Sequence, residues 1–200
     1  MTRIAGIVLA AGCSSRMAPR NKLLESIGGE PVVRRVAAAA LASGVLPVTV
    51  VTGHDAARVA AALGGLEVTV VANPAYAGGL STSLRAGVSA LPPGIDGALI
   101  CLGDMPEVEV SVLTALIGGF TGPGTIAVPV HQGQRGNPVL WGSDYFAEMM
   151  TLTGDVGAKP LMARHQEHVI EVEVATDSIF ADIDVPADLT RPQRSVGQTI

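Results

Sequence analysis

The strongest constraint on this chain is a rhythm in its first half, where short apolar runs alternate with Ala-rich amphipathic stretches. Residues 4–8 read as a buried strand, 31–43 as a helix with Pro31 near its first turn and Gly44 past its end, and Val48–Thr52 as a β-branched strand. A helix over 55–63 and a strand over 67–72 continue the pattern. Strands and helices in this order bury their apolar faces together when the strands pair in parallel through right-handed crossovers. The predicted class is therefore α/β with a doubly wound sheet. After a loop at 73–79, a helix is expected over 80–91, entered through Ser81-Thr82-Ser83. The run GALICL at 97–102 is the most continuous apolar stretch after the first, which places it centrally beside that strand. Helices over 109–117, 143–150 and 155–165 follow, with strands over 125–130, 138–141 and 168–174 and a turn at 133–137. Residues 182–186 lead into a short terminal helix. One domain over 1–190 is expected, with a loose polar tail at 191–200.

The 200 residues support a substantial core, and with 48% apolar but only 3% aromatic residues that core must be aliphatic. A net charge of −5 without a basic stripe argues against nucleic acid as a partner. No apolar run approaches the roughly 20 residues needed to span a membrane, and the opening run is at the short limit of a signal segment, roughly 7–15 residues. Cys13 lies in a loop and Cys101 in a strand, so both read as free thiols in a reducing compartment, and the chain as cytoplasmic.

The chemistry concentrates in residues 9–24, LAAGCSSRMAPRNKLL. Ala10, Ala11 and Gly12 allow close approach to the backbone, with Gly12 free to adopt positive φ. Ser14, Ser15, Arg16 and Lys22 add hydroxyls, N–H groups and two cations, a set suited to cradling a phosphate chain at the end of a strand. The stretch is neither GxxxxGK[ST], since Arg20 and Asn21 precede Lys22, nor GxGxxG. A strand-to-helix loop with incidental charges is the plainer alternative. Asp104 directly follows the strand at 97–102, at the sheet edge where ligands of such folds collect, with an N-cap role as its alternative. Asp184, in Asp182-Ile183-Asp184, is a second carboxylate, and such a pair suits Mg²⁺. His165 and His168 have metal-like spacing but no third ligand type in view, and read as surface histidines. No histidine near Cys13, Ser14 or Ser15 in sequence would activate them as nucleophiles.

Six segments occur in a telling order: LAAGxSxRM…KLL, GGLSTSLRAG, LGDMP, GxxGNPV, GDxGAK and DIDxP. Together they resemble the nucleotidyltransferases related to molybdenum cofactor cytidylyltransferase and molybdopterin-guanine dinucleotide synthesis proteins, over nearly the whole chain. The resemblance implies a three-layer Rossmann-like, mostly parallel sheet of the nucleotidyltransferase type with one antiparallel strand. It implies Mg²⁺-dependent transfer of a nucleoside monophosphate from an NTP to a phosphorylated acceptor, molybdopterin in that family, with a molybdoenzyme or its chaperone as a partner. By the same resemblance Leu9, Ala10, Ala11, Gly12, Arg16 and Lys22 hold the triphosphate end of the nucleotide. Gly79, Leu80, Ser81 and Ser83 read base and ribose, and Asp104 with Asp184 holds Mg²⁺. Gly136, Asn137, Pro138, Asp155 and Gly157 face the acceptor, a hairpin turn and an N-capped helix being their structural alternatives. Arg16, Lys22 and Asp104 carry catalysis. The motif LAAG and the stretch Gly79-Leu80-Ser81-Thr82-Ser83 resemble the cytidylyl branch, so CTP is expected over GTP. Two departures stand out: Ala18 replaces the usual glycine, and four residues rather than three separate Met17 from Lys22, so the reach of Lys22 depends on the longer loop. Sugar-1-phosphate nucleotidylyl transfer and non-catalytic nucleotide sensing remain the alternative functions.

Overall fold

A computed structural model describes residues 2–14, 17, 19–185 and 188–189. The chain runs through β1 (Ile4–Ala10), a small hairpin of β2 (Ser26–Ile27) and β3 (Glu30–Pro31), α1 (Val32–Ala42), β4 (Val48–Thr52), α2 (Ala56–Ala62), β5 (Thr69–Ala72) and α3 (Leu80–Ser89). It continues through β6 (Gly97–Leu102), α4 (Val110–Gly118), β7 (Ile126–His131), β8 (Gln134–Arg135), β9 (Val139–Gly142), α5 (Phe146–Met149), α6 (Lys159–Arg164) and β10 (Val169–Glu173). The main sheet has the order β10-β7-β9-β6-β1-β4-β5, with β8 folded back on β7. β1 pairs in parallel with β4 on one side and β6 on the other, as the apolar runs predict. β9 runs antiparallel between β6 and β7, as the resemblance implies.

The alternation of side chains along each strand builds two cores. Val8, Val50, Leu99 and Cys101 pack with Val36, Val59 and Leu113, under α1, α2 and α4. Ile7, Val51 and Ile100 point the other way and pack with Leu84, Met149 and Leu161 from α3, α5 and α6. The result is three layers, and β1 is apolar throughout because both of its faces are covered. Each large side chain fully removed from water in this way contributes about 1.5–3 kcal/mol. Cys101 is one of these core groups: burial pushes its thiol pKa up to about 12, so it stays neutral and behaves as a small hydrophobe.

Several expected elements differ at their ends. The helix expected over 155–165 begins only at Lys159, because Gly154 takes a φ of 77° and Pro160 suits a first helical turn. The 143–150 segment divides into a 3-10 turn, Ser143–Tyr145, and the short α5. The hairpin β2–β3 had no sequence signal, since two-residue strands are too short for alternation to show. The expected terminal helix and the 191–200 tail fall largely or wholly outside the described residues. No helix among the described residues is long and apolar enough to cross a membrane.

At Gly87, α3 comes close to the sheet. A Cβ there would lie 2.6 Å from Ile7 Cγ2 and 3.2 Å from Val51 Cγ2, both in the buried centre of the sheet. Gly87→Ala gains roughly 1 kcal/mol of helix propensity but overpacks a rigid site at a cost of about 1–3 kcal/mol. Overpacking should win, and urea unfolding is expected to show a lower midpoint by roughly 1 kcal/mol or more of stability. A midpoint above that of the wild type would show that α3 can shift to admit the methyl.

Candidate active site

β1 and β6 lie side by side, but the chain leaves β1 toward β4 and returns to β6 from the far side, so the crevice at their carboxyl ends is the topological switch point of the sheet. The ladder continues one step past β6, where the Gly103 N–H donates to the Leu9 carbonyl at 2.9 Å. A Cβ at position 103 would sit 2.8 Å from that same oxygen, so glycine is required for β6 to close on β1. Asp104 is thereby delivered next to residues 10–12.

The opposite partner, Lys22, is aimed by the loop that precedes it. Ser14, rather than Gly12, takes positive φ, at 50°. Its hydroxyl accepts from the Lys22 N–H at 3.1 Å. Buried Asn21 caps the 3-10 turn Lys22–Leu24 by accepting from the Leu23 N–H at 3.1 Å. Lys22 Nζ lies 2.6 Å from Asp104 Oδ2 and 3.3 Å from Asp184 Oδ1. Asp184 is brought there by its neighbour Ile183, whose N–H donates to the Asp104 carbonyl at 2.9 Å and whose side chain is buried with Met17 and Val32. Asp182, by contrast, is exposed. Burial works against the Lys22 charge, yet the charge and hydrogen bond of Asp104, followed by those of Asp184, outweigh it and raise its pKa above the ordinary 10.5. Asp104 is thus an ion-pair partner, not the N-cap of α4, a position held by Glu109.

The other wall is the start of α3. Buried Asn73 ties the end of β5 to this helix through Nδ2 donated to Thr82 Oγ1 at 2.8 Å and Ser83 Oγ at 3.1 Å. Gly79 adopts φ 97° and presses its backbone on Gly154, where any Cβ would lie 2.5 Å from the Gly154 carbonyl carbon. Across this contact Asp155 Oδ1 accepts from the Leu80 N–H at 3.1 Å. Asp155 therefore caps α3 and not, as the N-capped-helix reading of the sequence has it, the helix that follows it.

Between these walls is an open cleft of about 600 Å³. Its lining unites Leu9, Ala11, Gly12, Lys22, Gly79, Leu80, Ser83, Asp104 and Asp155 from the sequence-derived set. Other members of that set fall elsewhere. Ala10 points into the α1-side core. Ser81 is wholly buried with its hydroxyl unpartnered, so it does not face a ligand. Gly157 packs near Leu80, and the Gly136-Asn137-Pro138 turn lies off the cleft lining, held against Ile179 by the Asn137 N–H donated to the Ile179 carbonyl at 3.0 Å. Ser15, Arg16 and Ala18 lie outside the described residues. Sequence reasoning missed Tyr76, which lines the cleft by packing over Gly53, where a Cβ would come within 2.6 Å of it. It also missed the positioning roles of Ser14, Asn21 and Asn73. The one available signal was Asn21 directly before a short apolar turn, an N-cap pattern.

Comparison with known proteins bears on the family and the fold. Residues 6–169 match the family described as the MobA-like NTP transferase domain. The molybdenum cofactor cytidylyltransferase of Escherichia coli K12 is 28% identical over 94% of both chains. The bifunctional protein GlmU of Sorangium cellulosum is 30% identical over 70% of this chain, which spans only 31% of GlmU's length. Among solved structures, a nucleotidyl transferase from Methanothermobacter thermautotroptrophicus superposes with a TM-score of 0.83 at 30% identity, covering 94% of each chain. Rv0371C from Mycobacterium tuberculosis, in complex with manganese, gives 0.75 at 29% identity over 98% of this chain and 100% of its own.

The raised Lys22 pKa has a stability consequence. A cation whose pKa is higher in the folded state stabilises the fold fully below its unfolded value and loses that contribution as pH rises through the folded value. The difference in unfolding free energy between wild type and Lys22→Met should stay level from neutral pH to near the ordinary 10.5, then shrink above it. Denaturant titrations across that range measure it, and a difference already absent at neutral pH would contradict the ion-pair assignment.

Proposed function

The chain belongs to the MobA-like NTP transferase family, and on that premise we propose that it transfers CMP from CTP to the phosphate of a molybdopterin-type acceptor, releasing pyrophosphate. One observation carries the reading: two carboxylates far apart in sequence, Asp104 and Asp184, gather around the Lys22 ammonium at the carboxyl edge of β1 and β6. An all-oxygen donor pair already drawn around a cation fits a hard divalent ion such as Mg²⁺. When bound, that ion would neutralise phosphate charge and make the α-phosphorus a better electrophile. Asp104 and Asp184 would hold it.

The chain's own groups do the positioning. Ala11 and Gly12 leave room for phosphates beside the end of β1, since a Cβ at Gly12 would meet nothing within 4 Å. Lys22 exchanges carboxylate partners for phosphate oxygens, with Arg16 as the second cation of the loop. Gly79, Leu80 and Ser83 at the start of α3 hold base and ribose, with Tyr76 beside them. Asp155 and Gly157 border the acceptor, with the Gly136-Asn137-Pro138 turn behind. An acceptor phosphate oxygen forms the new bond to the α-phosphorus, the bond to the bridging oxygen breaks, and pyrophosphate leaves with the electron pair. The acceptor phosphate is already ionised, so no general base is needed. The cytidylyl assignment draws support from the LAAG motif, from Gly79-Leu80-Ser81-Thr82-Ser83 and from the cytidylyltransferase relative.

Asp104→Asn tests the site directly. Loss of a metal-holding carboxylate should lower pyrophosphate release on the order of a thousandfold, about 4 kcal/mol of transition-state stabilisation. Because Asp104 also pairs with Lys22, unfolding should become easier by about 1–3 kcal/mol. Retained turnover would remove Asp104 from the chemistry. Substrate choice is tested by calorimetric titration with CTP and GTP in the presence of Mg²⁺. Tighter binding of CTP is expected, and tighter binding of GTP would overturn the cytidylyl reading.

A further inference from the structure

A second cluster of reactive side chains lies where α5, α6 and β10 approach one another, and it shares no residue with the cleft lining. The sequence spacing of His165 and His168 shows no third ligand, but the fold corrects this. The 3-10 turn Gln166–His168 folds back so that a ring nitrogen of each histidine and a carboxylate oxygen of Glu167 lie within 4.8 Å of one another. Tetrahedral ligands about 2.1 Å from a zinc ion stand roughly 3.4 Å apart, so closing this set asks only for side-chain rotations at a surface turn.

Hydrogen bonds around the two rings decide where their protons sit. The Tyr145 hydroxyl donates its one proton to the Gly124 carbonyl at 2.7 Å. Toward His168 Nδ1, at 2.8 Å, that oxygen can only accept. Nδ1 therefore carries the proton, and neutral His168 keeps its lone pair on Nε2. His165 Nε2 lies 2.8 Å from Glu148 Oε1, while Arg164 Nη1 donates to the other Glu148 oxygen at 2.7 Å. His165 Nε2 is thus an N–H, and in the neutral ring the lone pair is on Nδ1. Each imidazole is held by an oxygen acceptor at one nitrogen, and in the neutral ring the other nitrogen is a Lewis base, as in metal-binding histidines. An ordinary surface network would account for the two hydrogen bonds. Glu167 adds a third donor to the two imidazoles, its carboxylate lying beside both rings at an exposed position.

We propose that His165, Glu167 and His168 bind a divalent transition ion, Zn²⁺, with Tyr145 and Glu148 orienting the two imidazoles. Two imidazole nitrogens with one carboxylate suit zinc, whereas Mg²⁺ calls for an all-oxygen set like that of the cleft. Three protein ligands leave a fourth position for water. The ion would staple the end of α6 to the turn entering β10, and through Glu148 and Tyr145 to the α5 segment.

The test is calorimetric titration of the full chain, stripped with chelator, with zinc chloride. Excess Mg²⁺ occupies the carboxylates of the cleft, and a Cys13→Ser background removes the exposed thiol. The parent should take up one equivalent of zinc and show a higher Tm with zinc than without. Glu167→Gln and His168→Ala, both at exposed positions, should lose the zinc-dependent rise in Tm and the uptake together while keeping the parent's Tm in its absence. Tyr145→Phe, which removes only the orienting hydroxyl, should weaken zinc binding by about tenfold. Absence of zinc uptake by the parent, or the same equivalent taken up at the same affinity by His168→Ala, would overturn the proposal.

Discussion

The parallel ladder between β1 and β6 is the constraint from which the rest of the structure follows. Its register pairs Leu9 with Leu102, and the Gly103 N–H extends it one bond further to the Leu9 carbonyl. That single additional bond sets Asp104 against the first residues of the opening loop. Because the ladder is covered on both faces, it needs aliphatic residues in an unbroken run, and close packing on both sides resists its deformation. A loop attached to such a base inherits its position from it.

On this base the protein solves an electrostatic problem. Asp104 and Asp184 come within reach of one cation, and two carboxylates so close repel by a few kcal/mol in a partly buried setting. The Lys22 ammonium, paired with both, relieves that repulsion. It is itself held by Ser14 and Asn21, polar residues that are partly or fully buried because they bind the backbone of the turn at Lys22. The carboxylates can therefore remain together with or without a metal ion, and a ligand does not have to bring them together.

Much of this was legible in the sequence. The apolar runs located β1, β4 and β6, and the carboxylate after GALICL pointed to the sheet edge because chemistry at strand ends follows from topology alone. What was hidden depended on contacts between distant segments. Asp155 looks like the cap of the helix after it, yet it caps one that starts at Leu80, since Gly79 and Gly154 let their backbones touch. Ser81 falls in the stretch that the resemblance assigns to base and ribose, but helical periodicity turns it inward to full burial.

The contact of Gly79 with Gly154 also bears on how this protein could be changed. With no side chain on either residue and two backbone segments in direct touch, the start of α3 and the 154–157 loop form one solid wall, locked by the Leu80–Asp155 hydrogen bond. A segment grafted from a relative on one side would meet a surface shaped for the original. Recombination within such folds should therefore succeed when both pieces travel as a pair and fail when either is moved alone, so that the unit of inheritance in this cleft is a seam rather than a loop.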